Sequence, residues 1–167
     1  DCAWYDGIYY VAGYSQNWAA RFDNDLNRLD GNLIFPFASN GIGADNVNER
    51  FIVKGGLNQG FFNVYDGIVD GELGEELGRV DNYRQFTNNQ DPWTMNWVGA
   101  HEFGEFWCHM PGSGIFSVDI DTDNWEAVEQ TYNWQDPINN GNWLNGIGHD
   151  GWNVWFSISN QATCWIY

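Results

Sequence analysis

Basic residues are what this chain has least of. It carries six Lys and Arg against 23 Asp and Glu, for a formal net charge of −17 over 167 residues. Arg21, Arg28, Arg50, Lys54, Arg79 and Arg84 are all of them, so no Lys or Arg follows Arg84. Phosphate recognition needs clustered Lys and Arg, which excludes nucleic acid as a partner and argues against docking on anionic lipid. Long apolar runs are missing as well. None approaches the roughly 20 residues that span a bilayer, so membrane insertion is not expected. The acids beyond Arg84 must find amides, water or metal cations as partners, and an acidic, Lys-poor surface also suits a salty habitat.

Cysteine is scarce, with only Cys2, Cys108 and Cys164. The chain opens on Asp1 with no initiator Met or signal peptide, which reads as a processed, secreted product. In that compartment one disulfide and one spare thiol are expected. Cys2–Cys164 would tie the two ends together, and Cys108–Cys164 is its rival. Catalytic signatures are also lacking. No Ser, Cys and His spacing marks a nucleophile, and no G-x-x-x-x-G-K loop cradles phosphate.

Aromatics are what the chain has in excess, at 18% of residues with 11 Trp. Trp125, Trp134, Trp143 and Trp152 stand nine apart, and the first three follow an Asn. Pro137 and the glycines at 141, 146, 148 and 151 break any single strand through this stretch. The spacing therefore suits short segments joined by turns, each returning a Trp to an equivalent place. A weaker echo links Gln90-Asp91-Pro92 to Gln135-Asp136-Pro137, giving two similar units at about 88–110 and 133–158. An exposed indole beside amides and carboxylates is what a sugar site needs: the ring stacks, and the polar groups take the hydroxyls. The ligand-binding set read from the ladder is Trp125, Trp134, Asn142, Trp143, Asn145 and Trp152.

Two acidic constellations invite a metal. Asp119, Asp121 and Asp123 alternate as in the first half of a calcium loop, and Glu126 can complete a Ca²⁺ shell. Asn124 stands where the turn Gly belongs, and Gln130 takes the final position. His101, Glu105 and His109 share a face at a spacing of four, but Glu105 replaces the second His of H-E-x-x-H, so the zinc-protease reading fails. A glycosidase pair is a further option. Glu102 and Glu105 face opposite ways on a strand, so each would need an acid from elsewhere, with His149-Asp150 another candidate.

The rest of the chain reads as β-structure. Aromatic and β-branched segments at 3–14, 33–38, 50–70, 93–110, 115–121, 152–160 and 162–167 are separated by Gly, Asn and Pro turns. Pro36 marks an edge or bulge, and 38–46 reads as a loop. A short, poor helix fits 71–80. The best helix fits Trp18, Phe22, Leu26, Leu29 and Leu33, capped by Ser15 or Asn17 and ended by Gly31. The expectation is a mainly β, single-domain (1–167) antiparallel sandwich or barrel with one helix on the N-terminal side. Its function reads as secreted carbohydrate binding, with Ca²⁺ as the candidate cofactor. The alternatives are a structural subunit assembled with other copies of itself through aromatic interfaces, and an extracellular glycoside hydrolase.

Overall fold

The computed structural model describes residues 1–56, 58–87, 89–99, 101–110, 114–134, 144–149, 152–158 and 164–166. The first strands are β1 Cys2–Tyr5, β2 Ile8–Ala12, β3 Gln16–Phe22, β4 Arg28–Asp45, β5 Arg50–Gly55 and β6 Phe62–Tyr65. A small hairpin of β7 Ile68–Val69 and β8 Glu72–Leu73 precedes β9 Glu76–Val80. Then come β10 Thr94–Trp97, β11 Phe106–Met110, β12 Gly114–Asp121, β13 Glu126–Trp134, β14 Leu144–His149, β15 Val154–Ile158 and β16 Cys164–Ile166. The protein is mainly β, and its sheets are antiparallel.

Strand β4 explains the arrangement. Its first part pairs with β3, through Trp18↔Ile34 and Phe22↔Arg28, and its last part with β5, through Ile42↔Val53 and Asp45↔Arg50. The changeover is a bulge: the β3 register jumps from Gln16↔Ser39 to Trp18↔Ile34. Pro36, which has no N–H to give a ladder, sits in that jump as its chemistry requires. The seven-stranded sheet β1-β2-β3-β4-β5-β6-β9 is thus two four-stranded meanders that share β4. β10 to β13 form a third meander, and β14 to β16 a three-stranded sheet.

The first strands of these units, β1, the end of β4, β10 and β14, pack against one another in succession. The sheets stack face to face, as in a sandwich, and repeat about the line of first strands like propeller blades. They do not close into a barrel. Ala3, Tyr5, Tyr10, Leu33 and Phe35 of the first meander meet Ile42, Phe51, Val53 and Tyr65 of the second. Ile52, Phe62 and Val64 on the opposite face meet Met95, Trp97, Phe106 and Cys108 of the third. Strand β5 is therefore buried on both faces, which is why Phe51, Ile52 and Val53 are apolar without alternation.

Residues 38–45 of the segment read as a loop are central strand, not the loop that its glycines suggested, and only Asn46 lies in a turn. A Cβ on Gly41 would stand 2.8 Å from Met95 Cγ, and one on Gly43 would stand 3.0 Å from Trp97 Cβ. Glycine here lets β10 approach the second meander. Residues 71–80 are likewise β8 and β9 rather than a poor helix.

The expected N-terminal helix is also strand. Trp18 and Phe22 lie in β3, and Leu29 and Leu33 in β4. The steps of four from Trp18 to Phe22 and from Leu29 to Leu33 are even, so each suits a strand as well as a helix, and the step of three from Leu26 to Leu29 falls across the turn. What decides is the turn between. Asp23 Oδ1 accepts the Asp25 and Asn27 amides at 2.9 and 2.8 Å, its Oδ2 accepts Asn27 Nδ2 at 3.0 Å, and Leu26 takes φ +62°. A left-handed Leu cannot sit in a right-handed helix. The helical turn that the described residues do contain is a 3-10 segment, Tyr83–Phe86.

The same device closes two more hairpins. Asp45 accepts from the Val47 and Asn48 amides and from Asn48 Nδ2, followed by Glu49 at φ +54°. Asp121 accepts from the Asp123 and Asn124 amides and from Asn124 Nδ2, followed by Trp125 at φ +57°. These are Asx turns, in which the carboxylate replaces backbone acceptors. They are also how much of this acidic chain does without Lys and Arg. Leu26→Asn tests the correction. Asn tolerates the left-handed region, so stability should rise by roughly 0.5–1 kcal/mol, whereas in a helix the change would cost about as much. Thermal melting of the two proteins reads the sign.

Candidate functional site

The first strands of the meanders start at one end of the molecule, and there the chain gathers polar and aromatic groups from distant segments. Asp1 stands at the head of β1. Its Oδ2 accepts the backbone amide of Ile42 at 3.3 Å and that of Met95 at 3.4 Å, and its Oδ1 accepts the Cys2 amide at 3.2 Å. One carboxylate thus touches three meanders through the open inner edges of β4 and β10. The Ala12 amide donates to Asp1 O at 2.9 Å, which brings the β2–β3 turn to the same end. That turn carries Tyr14, 70% exposed. Its next residue, Ser15, donates through its amide and hydroxyl to Asn40 Oδ1 at 3.1 and 3.3 Å. Trp93, 39% exposed, immediately precedes β10, and its amide donates to His109 O at 3.1 Å.

Beneath these rings lie buried polar atoms without partners. Asn40 Nδ2, Thr94 Oγ1 and both ring nitrogens of His109 are enclosed and make no hydrogen bond. Thr94 and His109 face each other across β10 and β11. Burial holds the His109 imidazole down at about 4, so it is neutral at physiological pH. A buried polar group normally finds a partner, and each exception calls for an explanation. A second polar node braces the same end. Asp91 accepts from the Gly60 amide at 3.2 Å, the Tyr83 hydroxyl at 2.8 Å and the Arg84 guanidinium. Lys54 Nζ, fully buried nearby, donates to Gly55 O at 2.9 Å, and desolvation brings its pKa to about 8. The open part of this end then offers a half-buried carboxylate acceptor and two exposed aromatic residues on neighbouring segments. Such a surface can stack a ring and take its hydroxyl groups.

The sequence-derived residues are placed differently. Between Trp125 and Trp134 the nine-residue step is the length of β13, so these two Trp fall at opposite ends of the third meander rather than at equivalent places. Trp125 and Trp152 lie in hairpin turns at the end away from Asp1. The Trp125 ring packs on the core where a Gly78 side chain would stand, with the Arg50 guanidinium 5.1 Å from the ring centre. That is a structural role. Trp152 is 91% exposed. Trp134 closes β13 at the Asp1 end and Asn145 lies in β14, while their side chains, together with Asn142 and Trp143, lie outside the described residues.

The four acids assigned to Ca²⁺ do not converge. Asp121 spends its oxygens on its own turn, Asp123 and Glu126 are exposed, and Asp119 faces Glu105. Burial, with the Asp119 carboxylate beside it, pushes the Glu105 carboxyl above its ordinary value, and its Oε2 accepts the Ile120 amide at 3.2 Å. Among the described residues, no group of three or more His, Cys, Asp and Glu is arranged to hold a metal ion. His101, Glu105 and His109 go to three places. His101 meets Trp107 and His149 edge-on, with ring centres 5.1 and 4.6 Å away, while His109 is buried on β11. Cys2 is an exposed free thiol and Cys108 a buried one, pushed up to about 12. Neither is bridged, and the side chain of Cys164 lies outside the described residues.

Asp1, Tyr14, Asn40 and Trp93 were missed because they come from four separate segments. The one local signal was the Gln90-Asp91-Pro92 echo, which leads directly into Trp93.

No protein-family model matches the chain, and no curated protein matches it. Solved structures do. One is the Kuenenia stuttgartiensis hydrazine synthase, with a TM-score of 0.53 at 10% identity, covering 99% of this chain and 44% of that one. Another is a GH43 glycoside hydrolase whose active site was engineered to give both endo-xylanase and exo-arabinofuranosidase activity. It matches with a TM-score of 0.58 at 9% identity, covering 99% of this chain and 37% of that one. At such identities the likeness is one of fold. The chain spans less than half the length of either neighbour.

Proposed function

We propose that this chain is the carbohydrate-binding part of a secreted protein, and that it holds a glycan across the end where Asp1, Tyr14 and Trp93 meet. The observation that carries the reading is the Asp1 carboxylate held by two central-strand amides, with exposed aromatic residues on the adjoining β2–β3 turn and at the head of β10. Aromatic rings stack on the apolar face of a sugar, and a carboxylate accepts from adjacent hydroxyls. The unpartnered Asn40 and Thr94 groups behind them suit a site that orders water or hydroxyl groups. The likeness to a glycoside hydrolase supports the carbohydrate class, and it brings no reaction with it.

A glycan array followed by calorimetric titration of the best ligand tests this. Trp93→Ala and Asp1→Asn should each weaken binding about tenfold or more, or about 1.4 kcal/mol, while melting temperatures stay close to wild type. Trp152→Ala, at the opposite end, should bind as wild type does. No binding to any glycan, with a large oligomer on size exclusion, would favour the self-assembling subunit instead. Release of reducing sugar would extend the reading to hydrolysis.

A further inference from the structure

Of the six cations, five have a visible occupation. Arg28 donates to Asn32, Arg50 covers Trp125, Arg79 covers Phe61 beside Asp81, Arg84 holds Asp91, and Lys54 caps Gly55. Arg21 on β3 is the sixth. Among the described residues no carboxylate ion-pairs with it, and its Nε is buried without an acceptor. Its guanidinium hydrogen-bonds the Tyr10 hydroxyl, a neutral partner that leaves the positive charge uncompensated.

Arg21 lines a cavity of about 590 Å³, within the range of small-molecule sites. The cavity lies between β3 and β4 on one side and the β7–β8 hairpin on the other. That hairpin turns on Asp70 and Gly71, at φ +52° and +84°, the Asp-Gly chemistry of a two-residue turn. The turn lays Gly71 against the guanidinium: a Cβ there would stand 3.1 Å from Nη1. The walls differ in character. Ile34, Phe35, Pro36 and Leu73 are apolar, Asn32 and the Tyr65 hydroxyl are polar, and Asp70 and Glu72 are exposed carboxylates.

We propose that this cavity is a second, separate sugar site, selective for an acidic sugar unit, a uronate. The guanidinium needs an anion, and its planar fork matches a carboxylate. Asp70 and Glu72 would repel a phosphate dianion but accept hydroxyl donors. A uronate ring supplies one carboxylate, several hydroxyls and an apolar face for Pro36 and Leu73. The site extends the carbohydrate reading yet shares no residue with the Asp1 end, so either can fail alone.

The test is NMR titration of the full chain with sodium glucuronate, with glucose and with inorganic phosphate. Glucuronate should bind at least tenfold tighter than glucose, weaken as salt rises, and resist competition by equimolar phosphate. Arg21→Gln should lose tenfold or more, and Trp93→Ala should change nothing. Glu72→Gln, on an exposed side chain, should tighten glucuronate a few-fold at low salt, and it decides the matter if Arg21→Gln fails to fold. Equal binding of glucose, displacement by phosphate, indifference to Arg21→Gln, loss in Trp93→Ala, or no tightening in Glu72→Gln would each overturn the proposal.

Discussion

Between pH 6.5 and pH 4 the wild-type protein should lose about 3 kcal/mol of stability that a His109→Leu variant keeps. His109 is fully buried, neither ring nitrogen has a partner, and burial lowers its pKa from 6.5 to about 4. Between those two values the unfolded chain takes up a proton that the folded chain refuses. Stability therefore falls as pH drops through 6.5 and stops falling below about 4. The acidic residues add their own losses in both proteins, so the difference between the two curves isolates the imidazole. At neutral pH the variant should also be more stable by roughly 1–3 kcal/mol, because it removes a buried N–H that has no acceptor. Urea unfolding at pH 7, 5.5 and 4 gives both quantities. Parallel acid limbs would sink this account of His109.

Lys54 makes the opposite prediction on the alkaline side. Desolvation lowers its pKa from 10.5 to about 8, eased by the Asp91 carboxylate. From about pH 8 to 10.5 the unfolded chain holds a proton that the folded chain has released. Stability rises with pH across that window, and the cost of burying the ammonium is fully present below it. Lys54→Met should therefore stabilise the protein at pH 7 by up to about 3 kcal/mol, less whatever the Gly55 hydrogen bond and Asp91 return. The advantage should shrink to nothing near pH 10.5. Asp91 keeps Arg84, Tyr83 and Gly60 in the variant, so no bare carboxylate is left behind. A variant less stable than wild type at pH 7 would mean that the Lys54 charge is a net support.

The β class was legible because composition and alternation act within each segment. Phe116, Val118 and Ile120 alternate along β12 and point into one core. Pro36 announced its own bulge. The failures came where the deciding partner lies elsewhere. Gly41 and Gly43 looked like loop residues, yet they are small because Met95 and Trp97, some 50 residues on, press against them. The supposed helix mixed steps of four and three, its steps of four suit a strand as well, and the Asp23 turn separates the two readings. Asp119, Asp121 and Asp123 matched a calcium pattern, but turn-making and ion-binding draw on the same residue types. In the Trp ladder, the step from Trp125 to Trp134 measures the length of β13 rather than the return of a ring to an equivalent place. The Asp1 end has no local pattern at all, since topology alone brings together residues that are 40 to 90 positions apart.

The shared strand β4 has a consequence for how the molecule comes apart. Its 18 residues run without a break through the first two meanders, so neither can swing or melt while the other stays whole. No such continuous strand joins the second meander to the third. There the chain leaves β9, makes the 3-10 turn and is clamped by Asp91 before β10 starts. Amide exchange should accordingly divide the chain near residue 81 rather than near residue 36: the first two sheets would exchange as one cooperative block, and the seam behind Asp1 would be the first to breathe.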